Sequence, residues 1–268
     1  MHAARSWLTL VTDGLLAVAF GAECAACGAP LDVVLRGPVC ASCWKAVRLI
    51  TPPICATCGT PLPAGRGGRT ARDGACPTCL GLSRTIARER AAGHYDGALR
   101  AIVHAMKYDK RRSLARPLAA LVRQQCGDVL HGADVCVPVP LHWRRRWQRG
   151  FNQADELARH LGLPVVAALR RTRHTRVQAS LHADERDMNV AGAFALRRWV
   201  RLRDRAWLGL AAPRLVRTAH LVAGLTVVLV DDVTTTGATL EACARILRAA
   251  GAREVRAATI ARVAARFV

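Results

Sequence analysis

Several common motifs and residue types are missing from this chain of 268 residues, and each absence removes a class of protein. Neither G-x-G-x-x-G nor G-x-x-x-x-G-K-[ST] occurs, so the dinucleotide-binding and P-loop interpretations lack their motifs. The apolar run over residues 15–22 is too short to span a bilayer. Lysine is scarce as well, because Lys45, Lys107 and Lys110 are the three lysines among the 40 basic residues.

The composition that remains describes an arginine-rich globular protein. Hydrophobic residues make up 51% of the chain, which supports a sizeable core for one α/β domain with a small appendage. The formal net charge of +21 favours acidic partners, either nucleic acid or phosphorylated metabolites. Codon usage is a competing explanation for so much arginine, so the charge alone does not choose between partners.

The cysteines carry the strongest spacing signal in the first third of the chain. Two C-x-x-C pairs supply four thiolates for one tetrahedral zinc ion, so four pairs predict two zinc sites of zinc-ribbon type. The four pairs are Cys24/Cys27, Cys40/Cys43, Cys55/Cys58 and Cys76/Cys79. Sequential pairing is the default, although pairing the first with the third and the second with the fourth uses the same residues. The single residues Cys126, Cys136 and Cys243 are predicted to lie in the core.

These cysteines also bear on the compartment and on the start of the chain. Zinc-binding thiolates favour a reducing compartment, which predicts a cytoplasmic protein. Residues 1–22 resemble a short signal peptide, but Asp13 interrupts them. We therefore expect an N-terminal apolar helix that packs against the protein or makes peripheral contact with a membrane.

A buried strand followed by an acidic pair and a threonine-rich turn is the most informative stretch of the chain. Four apolar residues, 227–230, predict a parallel strand covered on both faces. Asp231 and Asp232 follow it and suit ribose hydroxyls or a bound Mg²⁺. The phosphate loop, which we define as Thr234, Thr235, Thr236, Gly237, Ala238 and Thr239, then leads into a helix whose N-terminus attracts phosphate. A tight turn that only caps the helix is the alternative. Together the stretch predicts a sugar-phosphate site.

Basic residues follow a second predicted strand at residues 135–140. The loop at 142–153 mixes arginine, tryptophan and amides, and Arg144 and Arg149 could grip pyrophosphate through their guanidinium groups. The same tryptophans and arginines could instead stack on and neutralise single-stranded nucleic acid, or form a solvated basic loop. Lys107 ends a predicted helix, where it could reach a pyrophosphate or simply stabilise the helix end.

Residues 231–239 are similar to the phosphoribosyl pyrophosphate (PRPP) loop of type I phosphoribosyltransferases. The resemblance implies that residues 234–239 hold the 5′-phosphate of PRPP, which binds with Mg²⁺. It also implies that Asp231 and Asp232 are the catalytic pair and hold the ribose hydroxyls. Residues 170–189 are polar and long, and the resemblance implies a flexible loop there that closes over the substrate.

Four features in order resemble the ComF family of competence-associated proteins. They are the cysteine pairs, VPVPL at 137–141 leading to RGFNQA at 149–154, a flexible loop with Gln178, Arg186 and Asn189, and the phosphate loop. The resemblance implies an α/β fold, a type I phosphoribosyltransferase-like parallel sheet flanked by helices, with an N-terminal zinc-ribbon module. The expected regions are an apolar helix at 1–22, a double zinc ribbon at 23–80 and the phosphoribosyltransferase-like domain at 81–268.

The implied role is PRPP binding together with the handling of single-stranded DNA during DNA uptake and natural transformation. Two alternatives remain: an active phosphoribosyltransferase of nucleotide or amine metabolism, and a zinc-ribbon nucleic-acid-binding protein on an inactive scaffold. No segment indicates an acceptor pocket, and the oligomeric state is not specified. Residues 197–223 depart from the family pattern as a long basic insertion.

Overall fold

The structure is a computed structural model that describes residues 23–31, 37–62, 74–81, 83–173, 192–201 and 215–264. The strands are β1 (Arg88–His94), β2 (Val135–Pro138), β3 (Leu169–Arg171), β4 (Phe194–Leu196), β5 (Trp199–Arg201), β6 (Leu215–Arg217), β7 (Thr226–Thr234) and β8 (Glu254–Arg262). The helices are α1 (Ala41–Lys45), α2 (Pro77–Leu80), α3 (Gly97–Tyr108), α4 (Ala115–Gln125), α5 (Gly127–Leu130), α6 (Trp143–Arg149), α7 (Gln153–Ala158), α8 (Thr218–Val222) and α9 (Ala238–Ala249), with a 3₁₀ turn at Arg112–Leu114.

A parallel sheet forms the centre of the fold, with strand order β1-β8-β7-β2. The predicted buried strand is confirmed, because residues 226–230 of β7 are all buried. This strand extends four residues beyond the predicted end at Val230, since β7 stays in register with β8 as far as the pair Thr234 and Arg262. The acidic pair therefore lies within the strand.

Apolar layers cover both faces of the sheet. Val228 and Val230 pack into a cluster with α3, α4 and α7, whereas Val227 and Leu229 pack into a second cluster with α9. Alternate residues of a strand point to opposite faces, so β7 contributes to both layers. The three single cysteines at 126, 136 and 243 are fully buried in these clusters, which confirms that they are core residues.

Two short antiparallel hairpins flank the sheet. One joins β3 to β4, and the other joins β5 to β6. The second hairpin and α8 account for the two ends of the basic insertion predicted at 197–223. The centre of that insertion, residues 202–214, lies outside the described residues.

The cysteine-rich region docks against the outer edge of β1. Leu49 forms an antiparallel bridge with Gly93, and the Ile50 N–H donates to the Ala92 carbonyl over 3.1 Å. A Cβ on Gly93 would lie 2.8 Å from the Arg48 carbonyl oxygen, so this close approach requires glycine. The docking covers a sheet edge that would otherwise offer unpaired backbone groups.

No helix in the described ranges is long and apolar enough to cross a membrane. The helix predicted at residues 1–22 lies outside the described residues.

Candidate functional site

Asp231 and Asp232 stand on opposite faces of the sheet, although they are adjacent in sequence. Asp232 shares a face with Val228 and Val230, and its carboxylate pairs with the Lys107 ammonium of α3 over 2.8 Å. Both of these side chains are almost buried, with 13% and 12% exposed. The structure thus brings together two residues that the sequence predicted separately for the site.

Asp231 lies on the other face, towards α9. Burial raises the pKa of its carboxyl to about 7, and the neighbouring Asp232 carboxylate adds to the increase. The Asp232 N–H, which donates to Asp231 Oδ1 over 2.8 Å, opposes the increase, as do the charges of Lys107 and Arg171. Asp231 can therefore exchange a proton near neutral pH.

Arg171 in β3 is a residue near this carboxyl that the sequence analysis did not single out. Burial and the positive charge of Arg145 lower the pKa of Arg171, whereas the Asp231 carboxylate raises it. The Arg171 guanidinium lies over the Phe194 ring, 5.1 Å from its centroid. Its position at the start of the predicted flexible loop was the available sequence signal. The structure places it in a strand that pairs with β4.

The phosphate loop closes the carboxyl end of β7. Gly237 has φ of +84° and immediately precedes α9, so the chain enters the helix through a left-handed turn that favours glycine. Within the described part of the chain, the Thr234 Oγ1 atom is buried without a hydrogen-bond partner. A buried hydroxyl without a partner is costly, which fits a position that receives a ligand oxygen. The small cleft here is lined by Asp231, Val233, Thr234, Thr235, Gly237, Ala238, Thr239 and Leu240.

The basic segment after β2 is helical, so the prediction of a loop there was wrong. It forms α6, which begins after His142, whose ring nitrogen accepts from the Arg144 N–H, and ends at Gly150 with φ of +77°. Gly150 was a sequence signal for the end of a helix, whereas histidine is not among the residues that favour a helix start. Trp143 and Trp147 lie four residues apart on this helix and are 66% and 84% exposed.

Arg144 and Arg149 of α6 take different positions. The Arg144 guanidinium lies over the Trp143 ring, 5.3 Å from its centroid. Arg149 donates to Gln153 Oε1 over 3.0 Å and lies over the Tyr108 ring, which places it beside the end of α3 that carries Lys107. Gln178, Arg186 and Asn189 of the predicted flexible loop lie outside the described residues.

The eight paired cysteines form two clusters, and sequential pairing is confirmed. The first tetrad is Cys24, Cys27, Cys40 and Cys43, and the second tetrad is Cys55, Cys58, Cys76 and Cys79. The sulfur atoms within each tetrad lie within 4.8 Å of one another. Zinc–sulfur bonds of about 2.3 Å in a tetrahedron place sulfurs about 3.8 Å apart, so both tetrads could bind zinc.

Backbone donors prepare these thiols for a metal. The N–H groups of Cys58 and Cys76 point at Cys55 Sγ over 3.5 and 3.2 Å. Burial raises the pKa of Cys55, but these donors outweigh it and leave the pKa at about 6. In the first tetrad, a hydrogen bond with the Ser42 hydroxyl lowers the pKa of Cys40 to about 6. Burial and the neighbouring thiols raise the pKa of Cys43 and Cys79 in the same tetrads. Thiolates are the form that binds zinc, so Cys40 and Cys55 are the ligands that are most readily available to a metal.

Comparison with protein families gives two separate parts of the chain different assignments. Residues 148–266 match the phosphoribosyl transferase domain family, and residues 15–81 match the double zinc ribbon domain family. A solved structure of the allosteric regulatory enzyme of purine biosynthesis covers 59% of this chain and 30% of its own, at 21% identity and a TM-score of 0.32.

Whole-length relatives match as well. Competence protein F of Haemophilus influenzae is 29% identical over 91% of this chain and 98% of its own length. The DNA utilization protein YhgH is 32% identical in Salmonella typhi and 30% identical in Escherichia coli, in each case over 87% of this chain and 93% of the relative. At this identity over nearly the whole length of its relatives, and with the expected tetrads and parallel sheet in place, the chain belongs to the ComF family of competence protein F and YhgH.

Proposed function

We propose that this protein binds PRPP with Mg²⁺ at the carboxyl end of β7 and handles single-stranded DNA during DNA uptake or utilization. The observation that carries the PRPP proposal is the junction of the acidic pair with the phosphate loop at the start of α9. The names of the relatives, competence protein F and DNA utilization protein, supply the cellular role in the proposal. We also propose a cytoplasmic location, because thiolate tetrads need reducing conditions.

Each part of PRPP has a chemical counterpart in the site. The hydroxyls and backbone N–H groups of the phosphate loop suit the 5′-phosphate, and the positive end of the α9 dipole adds to their attraction. The carboxylates of Asp231 and Asp232 suit the two ribose hydroxyls. The pyrophosphate needs cations, and Mg²⁺ with Lys107, Arg144 or Arg149 would supply them. Arg171 is a further cation beside Asp231.

The ion pair between Lys107 and Asp232 prepares the site for this ligand. Each charge neutralises the other in the described structure, where both side chains are mostly buried. A ligand that offers hydroxyls to the acid and pyrophosphate to the lysine would satisfy both partners when it separates them. We propose this exchange as the reason that Lys107 and Asp232 face each other across the sheet surface.

Calorimetry with Mg²⁺ and PRPP tests the proposal. We expect the wild-type protein to bind, and the double substitution Asp231→Asn with Asp232→Asn to weaken binding at least tenfold. Asp155→Asn is the matched control, because Asp155 sits in a surface pair with Arg159 on α7. Absence of binding to well-folded wild-type protein would overturn the proposal and favour a nucleic-acid-binding protein on an inactive scaffold.

The proposed DNA surface is α6. Trp143 and Trp147 present two exposed rings about one helical turn apart, and Arg144 and Arg146 are exposed on the same short helix. Exposed aromatic rings stack on bases, and guanidinium groups neutralise phosphates, which together suit single-stranded DNA without sequence preference. The DNA surface would then lie on the segment that follows β2, and the PRPP site at the end of β7.

Fluorescence anisotropy with a labelled oligonucleotide tests this surface. Trp147→Ala should weaken binding by about 1–3 kcal/mol, the usual contribution of one stacked base. Trp199→Ala on β5 is the control, since Trp199 is also exposed but lies outside α6. Affinity should also fall as salt rises, because phosphate contacts release counterions. Equal losses for the two variants, or a flat salt response, would exclude α6 as the DNA surface.

A second candidate function is phosphoribosyl transfer. The pKa of Asp231, about 7, favours it, because a carboxyl beside the ribose could accept a proton from an incoming acceptor near neutral pH. Pyrophosphate release from PRPP with nucleobases and ammonia as acceptors would test it. Release that Asp231→Asn abolishes would support the transferase, and no release across the panel would leave PRPP as a bound ligand only.

The region boundaries remain part of the proposal. We propose a zinc-ribbon module at residues 23–80 and the phosphoribosyltransferase-like domain from residue 81, with the apolar helix at 1–22 before them.

A further inference from the structure

We infer that Arg84 positions the phosphate loop from the second tetrad, so that zinc binding at this tetrad and PRPP binding at the loop strengthen each other. The inference rests on the proposed PRPP function. It concerns side chains that no motif of the sequence identifies, and it distinguishes the second tetrad from the first.

Arg84 touches the second tetrad and the phosphate loop at the same time. Its guanidinium lies 4.0 Å from Cys79 Sγ through Nη1 and 3.0 Å from Glu89 Oε2 through Nη2. A Cβ on Gly237 would lie 2.9 Å from Arg84 Nη2, so the loop packs directly on this guanidinium. The side chain is only 13% exposed, so the contacts form away from bulk water.

Glu89 provides a second connection between the second tetrad and the phosphate loop. Its side chain is fully buried, and Arg262 donates to Glu89 Oε1 over 2.6 Å. The same Arg262 nitrogen donates to the carbonyl oxygen of Cys58, a member of the second tetrad, over 2.5 Å. Arg262 is also the residue opposite Thr234 in the sheet, and Thr234 begins the phosphate loop.

A third connection holds the first turn of α9. Glu241 lies in that turn, and its Oε1 accepts from the Thr85 N–H over 2.5 Å. Arg84 Nε lies 3.8 Å from the other Glu241 oxygen. Residues 84 and 85 follow Cys79 closely in the chain, so the position of this tetrad ligand influences where the helix behind the phosphate loop begins.

These connections predict coupling between two ligands. A zinc ion that draws four thiolates into a tetrahedron fixes Cys79 and the Cys58 carbonyl, and hence Arg84 and Arg262. A phosphate bound in the loop fixes the other side of the same side chains. Coupling between two sites is reciprocal in affinity, so each ligand should raise the affinity of the protein for the other. We expect the higher zinc affinity to appear as slower zinc release.

Zinc release from the wild-type protein measures this coupling without any substitution. A chromogenic chelator would follow the two zinc equivalents in Mg²⁺ buffer, with and without PRPP. We expect PRPP to slow the release of one zinc equivalent by about five- to a hundredfold, the usual range of such coupling. The release of the other equivalent should not change. Pyrophosphate alone at the same concentration is the control for direct chelation of zinc by phosphate oxygens.

Three variants test which residues carry the protection of zinc by PRPP. Cys27→Ser should remove the equivalent that PRPP does not affect. Arg84→Gln should keep both zinc equivalents and lose the protection by PRPP, while Arg84→Lys should restore part of it because the charge returns. Slowing of both equivalents or of neither, protection of the first tetrad, or full protection in Arg84→Gln would overturn the inference.

The same series separates this inference from the proposed function. If calorimetry shows no PRPP binding to the wild-type protein, the proposed function fails and the coupling fails with it. If PRPP binds normally and zinc release does not change, the coupling alone fails.

Discussion

Each tetrad consists of four cysteines in two C-x-x-C pairs, which 12 residues separate in the first tetrad and 17 in the second, but their surroundings differ more. In the first tetrad Cys27 is exposed and Cys40 and Cys43 are partly exposed. In the second, Cys55, Cys58 and Cys76 are at most 5% exposed. Arg48, which follows the first tetrad in the chain, pairs with Asp96, and these side chains are 68% and 41% exposed. The second tetrad instead meets the buried Glu89 and its two arginines.

This difference shows how the same cysteine motif can have two structural roles, apolar packing in one copy and polar contacts with a ligand site in the other. The first tetrad packs its apolar neighbours against α3. The second tetrad carries polar connections to the phosphate loop. Four predictions test the contrast, beginning with the largest expected effect.

Loss of a ligand should harm the second tetrad more than the first. We expect Cys55→Ser to lower the free energy of unfolding by about 4 kcal/mol, because a fully buried ligand is lost together with its metal. Cys27→Ser also loses its zinc but should cost about 1–2 kcal/mol, because Cys27 is exposed and water reaches the partly exposed thiols of Cys40 and Cys43 that remain. Urea unfolding at fixed zinc concentration, with zinc content by mass spectrometry, measures both. Equal costs would remove the contrast.

The second prediction compares the stability cost of losing a carboxylate in the two regions. Glu89→Gln leaves Arg84 and Arg262 without their shared partner in a buried place, so we expect a loss of about 3–5 kcal/mol. Asp96→Asn breaks an exposed pair and should cost less than about 1 kcal/mol. Urea unfolding of both variants in low and high salt gives the comparison. A cost for Asp96→Asn that equals that of Glu89→Gln would contradict it.

Two glycines in equivalent positions provide a finer test. Gly28 follows Cys27, Gly59 follows Cys58, and both have positive φ, +73° and +67°. Alanine at either position should cost about 1 kcal/mol for the left-handed backbone. A Cβ on Gly59 would also lie 2.6 Å from the Glu89 carbonyl oxygen, whereas no atom of the residues that the structure describes lies within 4 Å of one on Gly28.

We therefore expect Gly59→Ala to cost about 2–4 kcal/mol in total, since the added methyl group must displace backbone. Gly28→Ala should cost only the free energy of the left-handed backbone, about 1 kcal/mol. Thermal unfolding of the two variants with both zinc sites filled measures the difference. Equal shifts in Tm would show that the second tetrad does not press on β1 as tightly as the geometry indicates.

Local sequence patterns predicted the elements of this molecule whose structure is determined by residues close to one another in the chain. The apolar run ending at Val230 predicted a buried parallel strand, and the C-x-x-C spacing predicted both tetrads. The end of β7 was missed because its last residues pair with β8, a strand about 30 residues away in sequence. Helix α6 was missed because its arginines and tryptophans show no apolar face, although His142 and Gly150 cap it.

The connection between the second tetrad and the phosphate loop was beyond any local pattern. Glu89 and Arg262 are 173 residues apart, and Arg84 lies in an unremarkable segment after the last cysteine pair. Long-range ion pairs of this kind depend on the final packing of the sheet and leave no periodic trace in the sequence. Lys107 was a sequence candidate, but its partner Asp232 became visible only in the structure.

The smallest predicted effect concerns pH and the carboxyl of Asp231, which lies beside the phosphate loop. Its pKa rises from an ordinary value of 3.8 to about 7 in the folded protein, so the folded state holds the proton more tightly than the unfolded state. Stability should therefore fall as pH rises from about 4 to about 7 and then level off. Asp231→Asn removes this loss, so its gain in stability over wild type should grow by about 1 kcal/mol between pH 6 and pH 8.

The gain should shrink steadily towards pH 5, because the wild-type carboxyl becomes protonated again. Both proteins carry the same tetrads, so the pH dependence of zinc binding cancels in their difference. Asp96→Asn is the control, because it removes a carboxylate from an exposed ion pair away from the phosphate loop. Urea unfolding of the wild type and both variants between pH 5 and pH 8 measures these differences in the free energy of unfolding. A gain for Asp231→Asn that does not change with pH would show that the carboxyl is charged throughout, and the proton-accepting role beside the ribose would lose its basis.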